Sequence, residues 1–402
     1  MTGALPPVWR PTRADPDELF DAEDLDRSRR YQRPLRRIRA VRLGAGLAVS
    51  VGFVLGQVGP RLVEGLGVDG WVLQLVVVLV ALELARLVVD VPLDAWVDLR
   101  HDRAWGLSTQ TGRGLAADEA KSTLLSLVLG TALLVPVYAL VRATTWWWLW
   151  TWVLVCVVGV VAGLVVPVVV APLFNRFEPL PEGDLRDRVR AVAARAGVAL
   201  TRVEVADESR RSRRDNAYVT GLGSTRRMVL YDTLLETPPE LVEQVVAHEL
   251  GHVRRHHLRR QLPVLGAVAF LVLAVLGALS RWTALFDAVG LSGPGDPAGL
   301  PLAVLAVEAA GAVVGPTTAW VSRAFEREAD LDALDLLERP DLVEAMLRRL
   351  HLGNLADLDP GLVARITAGH PPAAERIAFV RAWAGVVGQT PDLGRSDRLP
   401  PS

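Results

Sequence analysis

The sequence predicts a mainly α-helical, polytopic membrane protein that carries one polar domain with a small β-hairpin or sheet. Hydrophobic residues make up 51% of the 402 residues, and the mean hydropathy is +0.29. Several apolar runs reach the length of about 20 residues that a helix needs to cross a bilayer core. One long polar stretch, at 174–260, instead mixes helical and strand-like hydrophobic spacing.

About six apolar segments are candidate transmembrane helices. We expect the polar segment ahead of them to be a retained basic tail, because it contains no short apolar core followed by a cleavage site. The candidate helices are Leu43–Gly59, Trp71–Leu93, Ser122–Val141, Trp146–Leu173, Leu262–Trp282 and Leu300–Val321. The predicted divisions are the tail at 1–42, four membrane helices within 43–173, the polar domain at 174–260, two membrane helices within 261–321, a segment at 322–385 and a disordered tail at 386–402.

Basic residues predict the orientation of these helices. Arginines cluster within 27–42 and 100–113 and through the polar domain, whereas the loops at 60–70 and 283–299 are nearly free of basic residues. Cytoplasmic loops carry an excess of Lys and Arg, so we expect the polar domain and both termini on the cytoplasmic side. The heavy use of Arg, Ala, Val and Gly is typical of a high-GC bacterial genome, which makes a bacterial plasma membrane the expected location.

The stretch Val245–His257, which reads VVAHELGHVRRHH, predicts a metal site. His248 and His252 are four residues apart on a helical pattern, so both imidazoles face the same side of the helix. Zinc suits two histidines and a third ligand, and it lowers the pKa of a bound water from about 16 to about 7. Glu249 can then remove that water's proton as general base. For the pentapeptide alone, the alternative is a solvent-facing helix rich in His and Glu.

The segment VSRAFEREADLDALDLL, after the sixth candidate membrane helix, offers a third ligand. Glu326 and Asp330 are four residues apart and share a helix face, whereas Glu328 points elsewhere. In zinc enzymes the third ligand is often a glutamate, and a carboxylate one turn further can hydrogen-bond a ligand histidine. We therefore assign Glu326 to the metal and Asp330 to a ligand histidine. Taken alone, the segment would be interpreted as a charged helix face at a membrane exit.

The polar domain has a recognisable order of elements. Leu185–Ala194 has helical spacing, and Arg202–Ala206 alternates as a strand does. Asn216–Thr220 and Arg226–Asp232 flank a glycine-bearing turn and predict a hairpin, after which Pro238 starts the helix of the histidine motif. An edge strand beside that helix could hold an extended peptide by β-addition. A purely structural hairpin is the alternative, and both interpretations stay open.

Together these segments resemble a known family. In order, and through roughly 91–380, the chain is similar to the integral-membrane zinc proteases typified by the type I CAAX prenyl protease. The heat-shock membrane protease is a more distant relative. The resemblance implies a gluzincin-type zinc protease domain at the cytoplasmic face, completed by the segment at 322–385. It is found in APLFNRFEPL (171–180), DNAYVTGLGSTRRMVLYDTLL (215–235), VAHELGH (246–252), SRAFEREAD (322–330) and HPPAAERI (370–377).

The resemblance also implies roles for single residues. Glu326 matches the third zinc ligand, and Asp330 matches an aspartate that supports the ligands. His370 matches a histidine that contacts substrate or the developing oxyanion, and its place before two prolines suits a rigid extended turn. Arg376 binds substrate carbonyl oxygens or positions that loop. The substrate-binding edge segment contains Asn216, Ala217 and Tyr218.

The remaining histidines receive no catalytic role from the sequence. His256 and His257 are interpreted as surface residues, because they stand among arginines at the membrane face. His101 and His351 are unassigned.

Charged residues interrupt the predicted membrane helices. Eukaryotic members of the family have seven crossings around a water-filled chamber, whereas six are counted here, and the missing one is the first. Glu83, Arg86 and Asp90 share one face of the second helix, and Glu308 interrupts the sixth. Each charge facing lipid would cost roughly 2.5–3.5 kcal/mol, so we expect a wet or paired interior location. Chamber lining and an intramembrane salt bridge that supports packing are the two alternatives.

The favoured function is a zinc-dependent, membrane-embedded endopeptidase acting on membrane-associated or lipid-linked polypeptides. The nearest family members cleave after a prenylated cysteine, but for a bacterial chain we expect membrane-protein quality control. The alternative is a membrane scaffold or chaperone with the same fold and little turnover. A transporter is not supported, because no inverted repeat is found. We expect one zinc ion, a polypeptide substrate and the lipid bilayer as partners, no nucleic acid because net charge is only −1, and a monomer as the simplest state.

Overall fold

The N-terminal half is almost entirely helical. The computed structural model describes residues 10–12, 14–221 and 223–388. A π-helical segment, Val97–His101, joins α4 to α5, and a second one, Val166–Val170, joins α7 to α8. The helices are α1 (Pro16–Leu19), α2 (Ala22–Leu55), α3 (Val58–Leu66), α4 (Trp71–Trp96), α5 (Asp102–Ala104), α6 (Gly112–Ala143), α7 (Trp147–Val165) and α8 (Ala171–Phe174).

The C-terminal half combines a small sheet with further helices. Within the described residues, the long helices that could cross a membrane number six, in agreement with the prediction. They are α2, α4 continued through α5, α6, α7 continued through α8, and two helices of the C-terminal half, α11 (His257–Leu279) and α13 (Leu300–Leu337). The remaining elements are β1 (Phe177–Pro179), α9 (Asp184–Arg195), β2 (Arg202–Ala206), β3 (Ala217–Thr220), β4 (Arg227–Tyr231), α10 (Pro239–Arg254), α11 (His257–Leu279), α12 (Thr283–Ala288), α13 (Leu300–Leu337), α14 (Pro340–Gly353), α15 (Leu362–Thr367) and α16 (Ala373–Val386).

The first membrane helix begins much earlier than predicted. It starts at Ala22 rather than Leu43, so most of the predicted basic tail is helical. Arginine is a good helix former, and the polar half of α2 extends the apolar half without interruption. Residues 1–9, and nearly all of the predicted disordered tail at 386–402, lie outside the described residues.

The polar half of α2 is docked onto the rest of the protein. The Tyr31 hydroxyl donates to Asp102 Oδ1 at 2.7 Å, and Arg214 donates to Asp102 Oδ2 at 2.8 Å. Gln32 donates to the carbonyl of Leu355 at 2.7 Å. His101, which the sequence left unassigned, stacks on the Tyr31 ring with centroids 4.9 Å apart. These contacts tie α2 to α5 and to the segment after α14, and Asp102 in turn binds Arg214 of the loop that precedes β3.

The sheet has four strands in the order β1-β2-β4-β3. β2 and β4 are parallel, and the other two pairs are antiparallel. The predicted hairpin is confirmed, with Ala217 opposite Leu230 and Thr220 opposite Arg227. β3 is therefore an edge strand. One face of the sheet packs with α9 and α10 around a core that includes Val192, Met228, Leu230, Val246 and Leu250.

Two of the charges predicted inside the membrane form a pair. Arg86 on α4 donates to Glu308 on α13, and it also lies 3.2 Å from the Ser50 hydroxyl of α2. The pair links three membrane helices, which is the packing role considered above. A paired charge loses much of the penalty it would meet in hydrocarbon. Both side chains are about one-third exposed, so lining of a cavity stays open as a prediction.

Candidate active site and metal centre

α10 presents both histidines of the motif on one side. The helix begins at Pro239, a residue favoured at the first helical position. Val246 and Leu250 are fully buried in the core beneath the sheet, which sets the rotation of the helix. With that rotation, His248 and His252 lie on successive turns and face α13.

Gly251 allows α10 and α13 to approach closely. A Cβ atom at this position would lie 3.1 Å from the Cα and the carbonyl oxygen of Ala329 and from the Cβ of Asp332. Because protein interiors are close-packed, such an atom fits only if one helix shifts. The glycine inside the motif therefore brings Glu326, on the same helix as Ala329, within reach of the two histidines.

His248, His252 and Glu326 converge on one point. The two Nε2 atoms are 3.3 Å apart. Glu326 Oε2 lies 3.4 Å from His248 Nε2, and Glu326 Oε1 lies 3.5 Å from His252 Nε2. Metal–ligand bonds of about 2.0–2.2 Å in a tetrahedral site place ligand atoms about 3.3–3.6 Å apart. The three side chains thus have the spacing of ligands around a single ion.

Glu326 also has an oxygen that needs a partner. Its Oε2 is buried, and no described protein group gives it a hydrogen bond of good geometry, although His370 Nδ1 lies 2.8 Å away. A buried polar atom without a well-aligned hydrogen bond is costly, and more so when it belongs to a carboxylate. A divalent cation would remove that penalty. Two imidazole nitrogens and this carboxylate are a donor set that fits zinc.

Asp330 and Arg376 hold His248 from the side away from the cluster. Asp330 Oδ1 lies 2.9 Å from His248 Nδ1. Arg376 donates to both carboxylate oxygens of Asp330, at 2.9 Å and 2.5 Å. All three side chains are buried. Asp330 thus contacts a ligand histidine and Arg376 contacts Asp330, and the roles of both residues stay predictions.

His257 is buried, contrary to the surface location that the sequence predicted. It is 4% exposed, with Nδ1 2.8 Å from His252 Nδ1 and Nε2 3.1 Å from Glu328 Oε2. The chain turns at His256, which has a φ of 54°, and α11 begins at His257 with its ring directed back at α10. A five-residue spacing matches no helix face, so periodicity could not reveal this contact. His256 itself is exposed, as expected.

Burial and charge pairing set the proton affinities of the α10 residues. Burial raises the pKa of Glu249, which suits a base that must hold a proton during a reaction near neutral pH. Burial lowers the pKa of His248, but its pairing with the nearby Asp330 and Glu326 carboxylates outweighs burial and raises that pKa to about 10. Burial, and then the charge on His248, lower the pKa of His252 to about 3. Near neutral pH and without a metal, the two imidazoles therefore carry one positive charge, on His248.

His370 reaches the cluster from the segment before α16. Its side chain is 74% exposed, yet Nδ1 lies 2.8 Å from Glu326 Oε2. Two prolines follow it, and α16 begins at Ala373. The histidine thus borders both the ligand cluster and open solvent.

The predicted substrate strand lies at the sheet edge and packs against α10. The side chain of Ala217 is 4% exposed and belongs to the core, so only its main chain could meet a peptide. Asn216 Oδ1 accepts from the amide of Ala217 at 2.9 Å. Tyr218 is half-buried and packs edge-on against Tyr231. The strand has the position that β-addition requires, and its role stays a prediction.

Comparisons with known proteins agree with this architecture. The model of peptidase family M48 matches residues 179–384, and that of the CAAX prenyl protease N-terminal region, described as five membrane helices, matches residues 11–176. The second match begins within the predicted tail at 1–42.

Individual relatives extend over most of the chain. A CAAX prenyl protease 1 homolog of Arabidopsis thaliana is 31% identical, over 81% of this chain and 77% of the relative. An uncharacterized metalloprotease, YhfN, of Bacillus subtilis is 28% identical over 93% and 89%. The crystal structure of S. mikatae Ste24p has the same fold, with a TM-score of 0.82, 23% identity and coverage of 93% of each chain. The chain therefore belongs to peptidase family M48 and is a multi-pass integral-membrane metalloendopeptidase.

Proposed function

We propose that this protein uses zinc to hydrolyse peptide bonds of membrane-associated or lipid-linked polypeptides, at the cytoplasmic face of a bacterial plasma membrane. The observation that carries the proposal is the convergence of His248, His252 and Glu326 at ligand spacing. These side chains come from two distant segments. Ligand spacing between such segments is not expected of a plain charged surface.

The residues around the cluster divide the chemistry among them. When bound, zinc supplies Lewis-acid activation of water and of the scissile carbonyl. Glu249 takes a proton from the attacking water and later delivers it to the leaving amine, a role that its raised pKa favours. His370 donates a hydrogen bond to the oxyanion of the tetrahedral intermediate. Asp330 and Arg376 keep His248 in the tautomer with its proton on Nδ1, which leaves the Nε2 lone pair facing the cluster.

The location of the site supports a substrate at the membrane surface. α11 leaves the site at His257 and runs directly into a candidate membrane span. α13 contains another candidate span and continues as one helix to Glu326. Because both elements continue into membrane helices, the cluster lies close to the bilayer surface. A polypeptide bound along β3, from Asn216 onward, would lie beside it. We infer that quality control of membrane proteins is the physiological task.

The decisive experiment compares the wild-type protein with Glu249→Gln in detergent. The substrates are a quenched farnesylated peptide and an unfolded membrane protein. We expect Glu249→Gln to lose roughly 10²–10⁴-fold in rate, the usual contribution of a general base, while retaining zinc. Equal hydrolysis by the two proteins would contradict the proposal. A scaffold or chaperone would instead give no zinc-dependent hydrolysis of either substrate and equal binding of unfolded protein by both variants.

A further inference from the structure

We propose that His257 and Glu328 form a positioning relay for His252. The relay is the chain of contacts from His252 Nδ1 through the His257 ring to the Glu328 carboxylate. Its role is to keep a proton on His252 Nδ1, so that the lone pair on Nε2 stays available to a metal ion in the cluster. The inference rests on the proposed zinc site, and it adds residues that the motif itself does not contain.

The positions of the protons follow from Glu328, because its carboxylate can only accept hydrogen bonds. An ionised carboxylate is an acceptor only, so His257 Nε2 donates to Glu328 Oε2 across their 3.1 Å contact. In a neutral imidazole the other nitrogen is then an acceptor. His257 Nδ1 therefore accepts from His252 Nδ1 at 2.8 Å. This leaves the lone pair of His252 on Nε2, which faces His248 and Glu326.

The surroundings hold the His257 ring in this orientation. The ring stacks on Phe325, with centroids 4.5 Å apart and planes 6° from parallel. Arg260, one turn further along α11, donates to Glu328 Oε1 at 3.0 Å, and its guanidinium carbon lies over the Phe325 ring, 4.8 Å from the ring centroid. The relay therefore has a buried ring, an anchored carboxylate and a fixed stacking partner. A surface histidine would have none of these.

The experiment measures zinc affinity, by competition with a chelator, on the purified full-length protein in detergent. His257→Phe keeps a ring to stack on Phe325 and removes both nitrogens. We expect its zinc affinity to fall about 10–100-fold, the usual effect of losing an outer hydrogen bond to a ligand. His257→Gln, whose amide oxygen can accept from His252, should recover part of that loss. The matched control is His256→Asn, which tolerates the left-handed backbone and should bind zinc as the wild type does.

A second variant and a spectroscopic measurement separate the relay from simple misfolding. Glu328→Gln leaves the His257 ring in place but offers an amide that can donate, so it should also weaken zinc and change the visible spectrum of the cobalt-substituted protein. Melting temperatures of the metal-free proteins report on folding. Wild-type zinc affinity in both folded variants, His257→Phe and Glu328→Gln, would overturn the relay. If both variants weaken zinc binding but the wild-type protein hydrolyses neither substrate, the relay is supported and only the proposed function is refuted.

Discussion

The two histidines of the cluster are supported in different ways. His248 Nδ1 meets the carboxylate of Asp330 directly, whereas His252 Nδ1 meets a second imidazole, that of His257, before a carboxylate is reached. Both arrangements end in an acidic side chain paired with an arginine. In both cases Nε2 faces the cluster. His248 is held by a carboxylate alone, and His252 is held by an imidazole that contacts a carboxylate.

Burial distinguishes the two sides further. On the His248 side, the side chain of Arg376 is 8% exposed, whereas on the His252 side the side chain of Arg260 is 46% exposed. Removing one partner of a buried ion pair strongly destabilises a protein, whereas exposed ion pairs contribute little to its stability. The His248 side therefore joins α10, α13 and α16 through buried contacts, whereas we expect the His252 side mainly to tune the metal site.

The largest effect is expected on the buried side. Arg376→Met leaves the Asp330 carboxylate buried beside His248 without its arginine, which should lower the unfolding free energy by roughly 3–5 kcal/mol. Denaturation of the metal-free protein in detergent measures the change. The control is Arg339→Met, because Arg339 is 56% exposed in its pair with Asp341 and should lose less than about 1 kcal/mol. Similar losses for the two variants would show that burial does not separate them.

An intermediate effect on stability is expected at Gly251, where α10 contacts α13. Gly251→Ala places a methyl group 3.1 Å from Ala329 and Asp332, which should push α13 away from α10. Overpacking of this kind lowers the unfolding free energy by roughly 1–3 kcal/mol, and it should weaken zinc binding because Glu326 moves with α13. Gly385→Ala on α16 meets no atom within 4 Å and is the matched control, expected to be neutral or slightly stabilising. Zinc affinity unchanged in Gly251→Ala would refute the close-approach argument.

The smallest effect is expected on the exposed side. Arg260→Met removes one partner of Glu328 but leaves its contact with His257. Since the arginine is partly solvated, the loss should stay below about 1 kcal/mol, and zinc affinity should change less than about fivefold. Chelator competition and thermal denaturation both measure it. A loss as large as that of Arg376→Met would remove the asymmetry between the two sides.

Sequence reasoning located the cluster because its spacing is local. His248, His252 and Glu249 follow from one helical turn, and Glu326 with Asp330 follows from another. The strands β2, β3 and β4 follow from alternation and from a glycine-bearing turn. The early start of α2 is not predicted, because its arginine-rich half has no apolar periodicity. Contacts such as those of Tyr31 and Gln32 dock this half onto the rest of the protein.

His257 shows most clearly what pattern alone leaves out. Its contact with His252 depends on a left-handed turn at His256 and on Glu328 arriving from a helix more than seventy residues later in the chain. By itself, the sequence determined the membrane helices, the metal-binding motif and the family resemblance, since each is written in local hydrophobicity or spacing. Only the tertiary structure decided which carboxylate serves which imidazole, because hydrogen bonds between distant segments depend on how closely α10 and α13 pack.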